Sequence, residues 1–335
     1  MTYIETFTQS KEKGNPASNE DRVVAVPDRL YAVIDGATDK SGLKHAGLTG
    51  GQIVGRILED VIRAMVRDSG GGKAQALAIP ALLRRVNRRL QRFYRASNLA
   101  EAIRRDPWRR FAAQLSMAVK EGDRYRFAVI GNTGLRVNGQ EVFSTPQPGE
   151  EICAQLRAAV YRHLIGRGAD RPRADDWARA YTVEGLKAPL PRKRLDAEAL
   201  GRLRHEASAE CLERFPAVGA ETIESVLTDG LKGLHRYRNR RGPLGFPSID
   251  GSPIPEDMII EFERPAAEVH CIEIFSDGYP GVPDGTAVRD WESRYAEAER
   301  DDPERISIYP AVKGSAAGRF ADDRTVLIVR PQAPT

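Results

Sequence analysis

Apolar residues recur along this chain with two different periods. Val23-Val24-Ala25-Val26 and Leu30-Tyr31-Ala32-Val33-Ile34 are short runs of strand-forming residues, with the turn residue Asp28 between them. From Gly51 the spacing lengthens, and Val54, Ile57, Leu58, Val61, Ile62 and Met65 repeat as one face of a helix that Gly70-Gly71-Gly72 stops. A second helix is predicted from Ile79 to Ala96, with Leu83, Val86, Leu90, Phe93 and Tyr94 on its apolar stripe and arginines opposite. The period of two then returns. Leu115 to Lys120 and Tyr125 to Ile130 flank an Glu121-Gly122-Asp123 turn, and the alternation of Tyr125, Phe127 and Val129 with Arg126 and Ala128 predicts one well-buried face. Leu135 to Val137 and Glu141 to Phe143 flank Asn138-Gly139, a tight-hairpin signal.

Helical patterns follow over 150–165, 197–213 and 221–234, and strands over 258–262, 269–275 and 325–329. Residues 166–200 are rich in Arg, Asp and Pro with weak periodicity and read as an inserted, irregular segment; 235–257 is broken throughout by Gly and Pro and reads as a loop. Strands, then helices, then strands, without βαβ alternation, predict an α+β fold with antiparallel sheets. At 335 residues the chain is expected to form a single elaborated domain over 1–335.

Composition narrows the picture. With 41% hydrophobic and 29% charged residues, the chain suits a soluble globular protein. No apolar run is long enough to span a bilayer and the first residues lack a signal-peptide core. Cys153, Cys211 and Cys271 are far apart and odd in number, which fits neither a disulfide framework nor zinc and points to a reducing, cytoplasmic setting. A formal net charge of +4 argues against nucleic acid as partner. Ten arginines nonetheless crowd the segment from Arg84 to Arg110 against Glu101 and Asp106 alone. The helix face carrying Arg84, Arg88, Arg92 and Arg95 reads first as solvated charge and second as a docking surface for an acidic partner.

The candidate chemistry lies in the carboxylates. Asp35-Gly36 follows LYAVI, Asp277-Gly278 follows VHCIEIFS, Asp322-Asp323 precedes TVLIV, and Glu20-Asp21 precedes VVAV. Asp-Gly at one strand end is commonly a turn and nothing more, and Asp250-Gly251, with no strand before it, is read as one. Four acidic positions at the ends of four strands converge if those strands pack side by side. Converging carboxylates need protons or cations to offset their repulsion, and oxygen-only ligands favour Mg²⁺ or Mn²⁺ over zinc.

Asn19-Glu20-Asp21, Val33-Ile34-Asp35-Gly36, Phe275-Ser276-Asp277-Gly278 and Asp322-Asp323-Arg324-Thr325, in that order, resemble the signature of PP2C-type metal-dependent protein Ser/Thr phosphatases, and Gly131-Asn132-Thr133-Gly134 resembles that family's Gly-Asp-Ser-Arg element. The resemblance spans residues 8–330. It implies a four-layer αββα sandwich of two antiparallel sheets flanked by helices, with two Mg²⁺ or Mn²⁺ ions that activate water for attack on a phosphomonoester. By position, Asp35 would bridge the ions with the Gly36 carbonyl as a further ligand, Asp277 and Asp322 would complete one ion, Glu20 and Asp21 would hold the other, and Asp323 would stand behind them. Asp35, Asp277 and Asp322 are thereby the implied catalytic set. The substrate class implied is a phosphoserine or phosphothreonine protein, such as a kinase or its target; a small-molecule phosphoester is the variant left open.

The chain also departs from that pattern. The arginine that precedes Asn-Glu-Asp in the family is missing, which leaves Lys13 or Arg22 to grip phosphate. Ala37-Thr38 stand where many members have histidine, and His45 reads as structural. Asn132 and Gly281 replace two acidic residues, which puts a third ion in doubt. The alternative function is a catalytically weak relative that binds a phosphorylated or acidic partner as a regulatory module.

Overall fold

The computed structural model describes residues 2–38, 42–68, 78–188 and 195–331. The triglycine at 70–72 and residues 189–194 of the expected insertion lie outside them. The chain divides into two compact units, one of residues 1–146, 246–296 and 323–335, the other of residues 147–245 and 297–322.

All the strands of the described residues lie in the first unit. They are β1 (Tyr3–Gln9), β2 (Arg22–Val26), β3 (Leu30–Gly36), β4 (Ala113–Glu121), β5 (Arg124–Ile130), β6 (Gly134–Val137), β7 (Glu141–Phe143), β8 (Ile260–Pro265), β9 (Ile272–Phe275) and β10 (Arg324–Arg330). They form two five-stranded sheets, ordered β1-β10-β9-β6-β7 and β2-β3-β4-β5-β8, with every pairing antiparallel. Between the sheets Tyr31, Val33, Phe127, Val129, Leu135, Ile274, Leu327 and Val329 form one core. A second core lies on the other face of β3, β4 and β5, where Ala32, Ile34, Leu115, Met117 and Ile130 meet helices α1 (Gly50–Asp68) and α2 (Ile79–Ala96). The short helix α3 (Ala100–Arg105) follows.

Strands β3 to β5 are therefore buried on both faces. That is why LYAVI is a continuous apolar run, and it corrects the expectation of a single buried face for 125–130: Ala128 and Ile130 face the helical core as fully as Tyr125 and Phe127 face the other sheet. The outer face of the β9-containing sheet is covered by the later helix that begins at Val288. Trp291 sets its ring 4.4 Å from Phe275 and donates its indole N–H to Glu273 at 2.9 Å. Helix, sheet, sheet and helix thus stack as the αββα sandwich that the resemblance implies.

Strand β1 has no counterpart in the predicted elements. It is an edge strand, YIETFTQ, that exposes Tyr3, Thr6 and Thr8, fully buries none of its residues and pairs with β10, so it lacks the apolar run that marks an internal strand. In the hairpin between β6 and β7, Asn138 and Gly139 take φ of 55° and 71°, left-handed values at the centre of the turn that the Gln140 N–H closes on the Val137 carbonyl at 3.1 Å.

The second unit contains helices α4 (Pro148–Gly166), α5 (Arg171–Glu184), α6 (Ala197–Arg214) and α7 (Ala220–Gly233), the last kinked at Gly230, where φ is 60°. The remaining helix, α8 (Val288–Asp301), begins in the first unit and ends in the second. Helix α5 corrects the expectation that 166–200 is irregular. Asp170 caps it by accepting from the Arg173 N–H, and Ala174, Ala178 and Tyr181 form its buried stripe, with polar residues too frequent between them for the period to stand out. Fully buried Arg157 donates to Asp175 at 2.9 Å and to the carbonyls of Glu304 and Arg305. No helix of the described residues is long and apolar enough to cross a membrane.

Candidate metal centre

Residue parity places the first carboxylate. Tyr31 and Val33 point between the sheets, so Asp35, two residues on, points the same way at the end of β3, where the core opens. The turn after β9 brings Asp277 beside it, and the Asp277 backbone N–H donates to the Asp35 carboxylate at 3.4 Å. Asp277 is exposed and accepts from the Asn132 side-chain amide at 2.6 Å. The Asn132 amide oxygen is buried and has no hydrogen-bond partner.

Asp21 is buried in the same end of the sandwich. It accepts from the Ser276 hydroxyl at 2.7 Å, while Ser276 accepts from the Thr325 N–H at 2.9 Å. Burial, then the negative charge of Asp323, push the Asp21 carboxyl from its ordinary 3.8 up to about 8, against the lowering effect of the Ser276 and Thr325 hydrogen bonds; Asp277 adds a smaller push. The Asp21 carboxyl is thereby held toward its protonated form.

Glu20 turns the other way, onto the first turn of α1. Thr49 and Gln52 form a capping box: the Gln52 N–H donates to the Thr49 hydroxyl at 3.2 Å and the Thr49 N–H donates to the Gln52 side chain at 3.1 Å. The Thr49 hydroxyl then donates to Glu20 at 2.6 Å, while the Gln52 amide holds the Ala17 carbonyl at 2.8 Å and the Asn19 carbonyl at 3.2 Å. A helix N-terminus favours a carboxylate so placed. Gly36 and Gly51 make the approach possible. A Cβ on Gly51 would lie 2.8 Å from both the Glu20 carboxylate and the Gly36 carbonyl, closer than packed atoms come.

Lys11 enters between two of the acids. Its ammonium bonds Glu20, donates to the Thr38 hydroxyl at 2.9 Å and donates to Asp323 at 3.0 Å. Asp323 also accepts from the backbone N–H groups of Lys11 at 2.7 Å and Glu20 at 3.2 Å. Glu20 and Asp323 are 1% and 4% exposed.

The structure thus brings Asp21, Asp35 and Asp277 to one end of the sandwich and seats Glu20 and Asp323 in a lysine-bridged pair beside them. Asp322 belongs to the second unit and accepts from Lys313 at 2.7 Å. Lys13 is exposed, and Arg22 lies on β2 with its stem against Gly55. His45 packs its ring against Phe111 at 5.3 Å, a structural role. Asp250 accepts from the Ser252 N–H at 2.9 Å, as a turn residue does. Sequence reasoning missed Lys11, Thr38, Thr49 and Ser276. Thr49-x-x-Gln52 was legible as a capping box, but nothing in the sequence marked Lys11.

Among the described residues no three His, Cys, Asp or Glu side chains close on one point tightly enough to hold an ion as they stand. The donor set nevertheless suits one hard cation. Asp21, Asp35 and Asp277 supply only oxygen ligands, burial and then the charge of Asp323 make Asp21 hard to ionise, and the Asn132 oxygen beside them lacks a partner. Glu20, which the resemblance pairs with Asp21 at a second ion, fits that role less well, because it already shares a cation of the chain's own with Asp323.

No family model and no curated protein matches the chain. Among solved structures, the serine/threonine phosphatase PstP/Ppp of Mycobacterium tuberculosis is 15% identical, with 99% of each chain covered and a TM-score of 0.44. The catalytic domain of PstP in complex with two manganese ions is 14% identical, covering 98% of this chain and 99% of that one, with a TM-score of 0.45. The serine/threonine phosphatase Stp1 of Staphylococcus aureus is 11% identical, covering 99% of this chain and 96% of that one, with a TM-score of 0.46.

Proposed function

We propose that this chain is a metal-dependent phosphomonoester hydrolase of the PP2C type, acting on phosphoserine or phosphothreonine in proteins. The observation that carries the reading is the meeting of Asp21 and Asp35, which flank one strand hairpin, with Asp277, 242 positions beyond Asp35, at one end of a two-sheet sandwich. A divalent cation held by Asp35 and Asp277 would supply Lewis-acid activation of water and of the phosphoryl oxygens. The chain's own residues do the rest. Asn132 orients Asp277 through its amide. Ser276 orients Asp21, whose raised pKa makes it the group that gives up a proton when positive charge arrives beside it. Lys11 holds Glu20 and Asp323 in place. Buried, unbridged Cys153, Cys211 and Cys271 support a reducing, cytoplasmic setting.

The test is hydrolysis of p-nitrophenyl phosphate and of a phosphothreonine peptide with Mn²⁺ or Mg²⁺. Metal-dependent turnover lost in Asp35→Asn and Asp277→Asn supports the reading. Turnover that persists in a chelator, or in both variants, overturns it. Absence of turnover at every metal concentration, with phosphopeptide still bound, favours the regulatory module instead.

A further inference from the structure

We infer that the basic face of α2 and the segment 251–259 form a docking site for an acidic segment of a partner protein, an extended stretch in which an apolar residue stands between two carboxylates. None of the metal-centre residues lines this site, and the inference does not depend on how Asp35 and Asp277 are read.

The site is a hollow of about 400 Å³ between α2 and that segment, within the size range of pockets that receive a ligand. Of the residues that line it, Leu83 and Ile254 are buried and Ile259 is half-buried, so its inner surface is apolar. Two side-chain amides fix its walls. Asn87 donates to the Ser252 carbonyl at 2.9 Å and Gln91 to the Gly251 carbonyl at 2.8 Å, which ties the segment to the helix one turn apart along α2. The hollow is therefore preformed, and an occupant need not order its walls on binding.

Charge decides the occupant. Arg84 and Arg88 line the hollow, and Arg88 also lines a second one of about 300 Å³, between α1 and α2, together with Arg85, Arg89 and Arg92. Arg85 and Arg89 are matched with Asp68 and Asp60. Arg84, Arg88 and Arg92 are exposed and have no ion pair among the described residues. One turn of helix sets them about 6 Å apart along the axis, close to the roughly 7 Å between alternate residues of an extended chain. A segment with acids at alternate positions meets two of these arginines, and the residue between the acids points the other way, toward the apolar hollow that the arginine stems help to line. Glu256 is the one acid among the described lining residues and stands on the opposite wall, which directs the carboxylates to the α2 side. Nucleic acid fits less well, because the aromatic residues of α2, Phe93 and Tyr94, pack on Phe111 and are not offered to bases. A lipid surface fits less well, because Leu82, Val86 and Leu90 of the α2 stripe are buried in the core.

Fluorescence polarisation of the full chain with a fluorescein-labelled peptide, Gly-Glu-Leu-Glu-Gly-Glu-Gly, tests this without metal or turnover. The wild type is expected to bind it, more weakly as salt is added. Arg84→Glu combined with Arg88→Glu is expected to lose about tenfold or more in affinity. Arg104→Glu combined with Arg105→Glu makes the same change in net charge at exposed positions outside the hollow and is expected to bind as the wild type does. Replacing the peptide leucine by serine leaves the hollow unfilled and is expected to cost about tenfold or more. Should the first pair fail to fold by circular dichroism, Arg84→Gln combined with Arg88→Gln carries the test and is expected to weaken binding in the same direction. No binding by the wild type, equal loss in the two charge-reversed pairs, or equal binding of the serine peptide overturns the docking site. Binding of oligothymidine or of phosphatidylserine vesicles through Arg84 and Arg88, with the peptide left unbound, assigns the face to nucleic acid or lipid and overturns it too. Each of these results leaves the metal dependence of phosphate hydrolysis untouched.

Discussion

The Ser276 hydroxyl donates to the Asp21 carboxylate at 2.7 Å, joining residues 255 positions apart. The same hydroxyl accepts the Thr325 N–H at 2.9 Å, so one small side chain ties β10, the turn after β9 and the entry to β2. Ser276→Ala leaves a buried carboxyl short of a donor and a buried N–H short of an acceptor. The expected loss is about 1–3 kcal/mol for each group left unsatisfied, measured as a fall in the urea midpoint with unchanged slope.

Asp21 also sets a pH dependence. Its folded pKa is raised from 3.8 to about 8, so the folded state keeps a proton that the unfolded chain has released. Its contribution to stability is fully present below about pH 4 and is lost as pH rises, until the folded carboxyl itself ionises near pH 8. The slope reaches about 1.4 kcal/mol per pH unit within that window. Unfolding of the chelator-treated protein between pH 5 and 9 should show this decline. Mn²⁺, by offsetting the charge, should flatten it, and binding at pH 7 should release a proton, measurable from the dependence of binding heat on the buffer.

A second buried charge pair lies on the outer face of the β9 sheet. Arg136 donates to Glu273 at 2.6 Å, Trp291 donates to the same carboxylate at 2.9 Å, and Arg136 and Glu273 are 3% and 0% exposed. Glu273→Ala strands the guanidinium and should cost about 3–5 kcal/mol. Glu273→Gln keeps an acceptor for Trp291 and should cost less. Thermal melts of the two variants side by side check the order.

Gly51 and Gly201 both lie in helices, and alanine should act on them in opposite directions. At Gly51 the added methyl meets Glu20 and Gly36 at 2.8 Å. That overpacking costs about 1–3 kcal/mol, more than the roughly 1 kcal/mol that helix propensity returns. At Gly201 a Cβ meets nothing within 4 Å, so Gly201→Ala should stabilise by about 0.4–1 kcal/mol. A fall in melting temperature for the first and a rise for the second is the expected pair of results.

Much of this architecture was legible in the order of residues. One-sided burial imprints a period, so α2 was read from Ile79 to Ala96, the bounds it has. The hairpin at Asn138-Gly139 follows from a local φ requirement, and Asp35 and Asp277 were visible as acids just past apolar runs. Local sterics and one-dimensional patterning suffice for such features. They did not suffice for β1, whose edge position leaves only a mixed pattern, or for α5, whose narrow buried stripe is diluted by polar residues.

What only the tertiary structure decided is which charges are neighbours. Lys11, Glu20 and Asp323 come from the two ends of the chain and meet because β1 pairs with β10 while the Gly36–Gly51 contact draws α1 onto the end of β3. Electrostatic partnership depends on distance and burial, and neither is encoded in local spacing. Nothing about a lysine two residues beyond a strand distinguishes it from a solvated one until the carboxylates it bridges are folded around it.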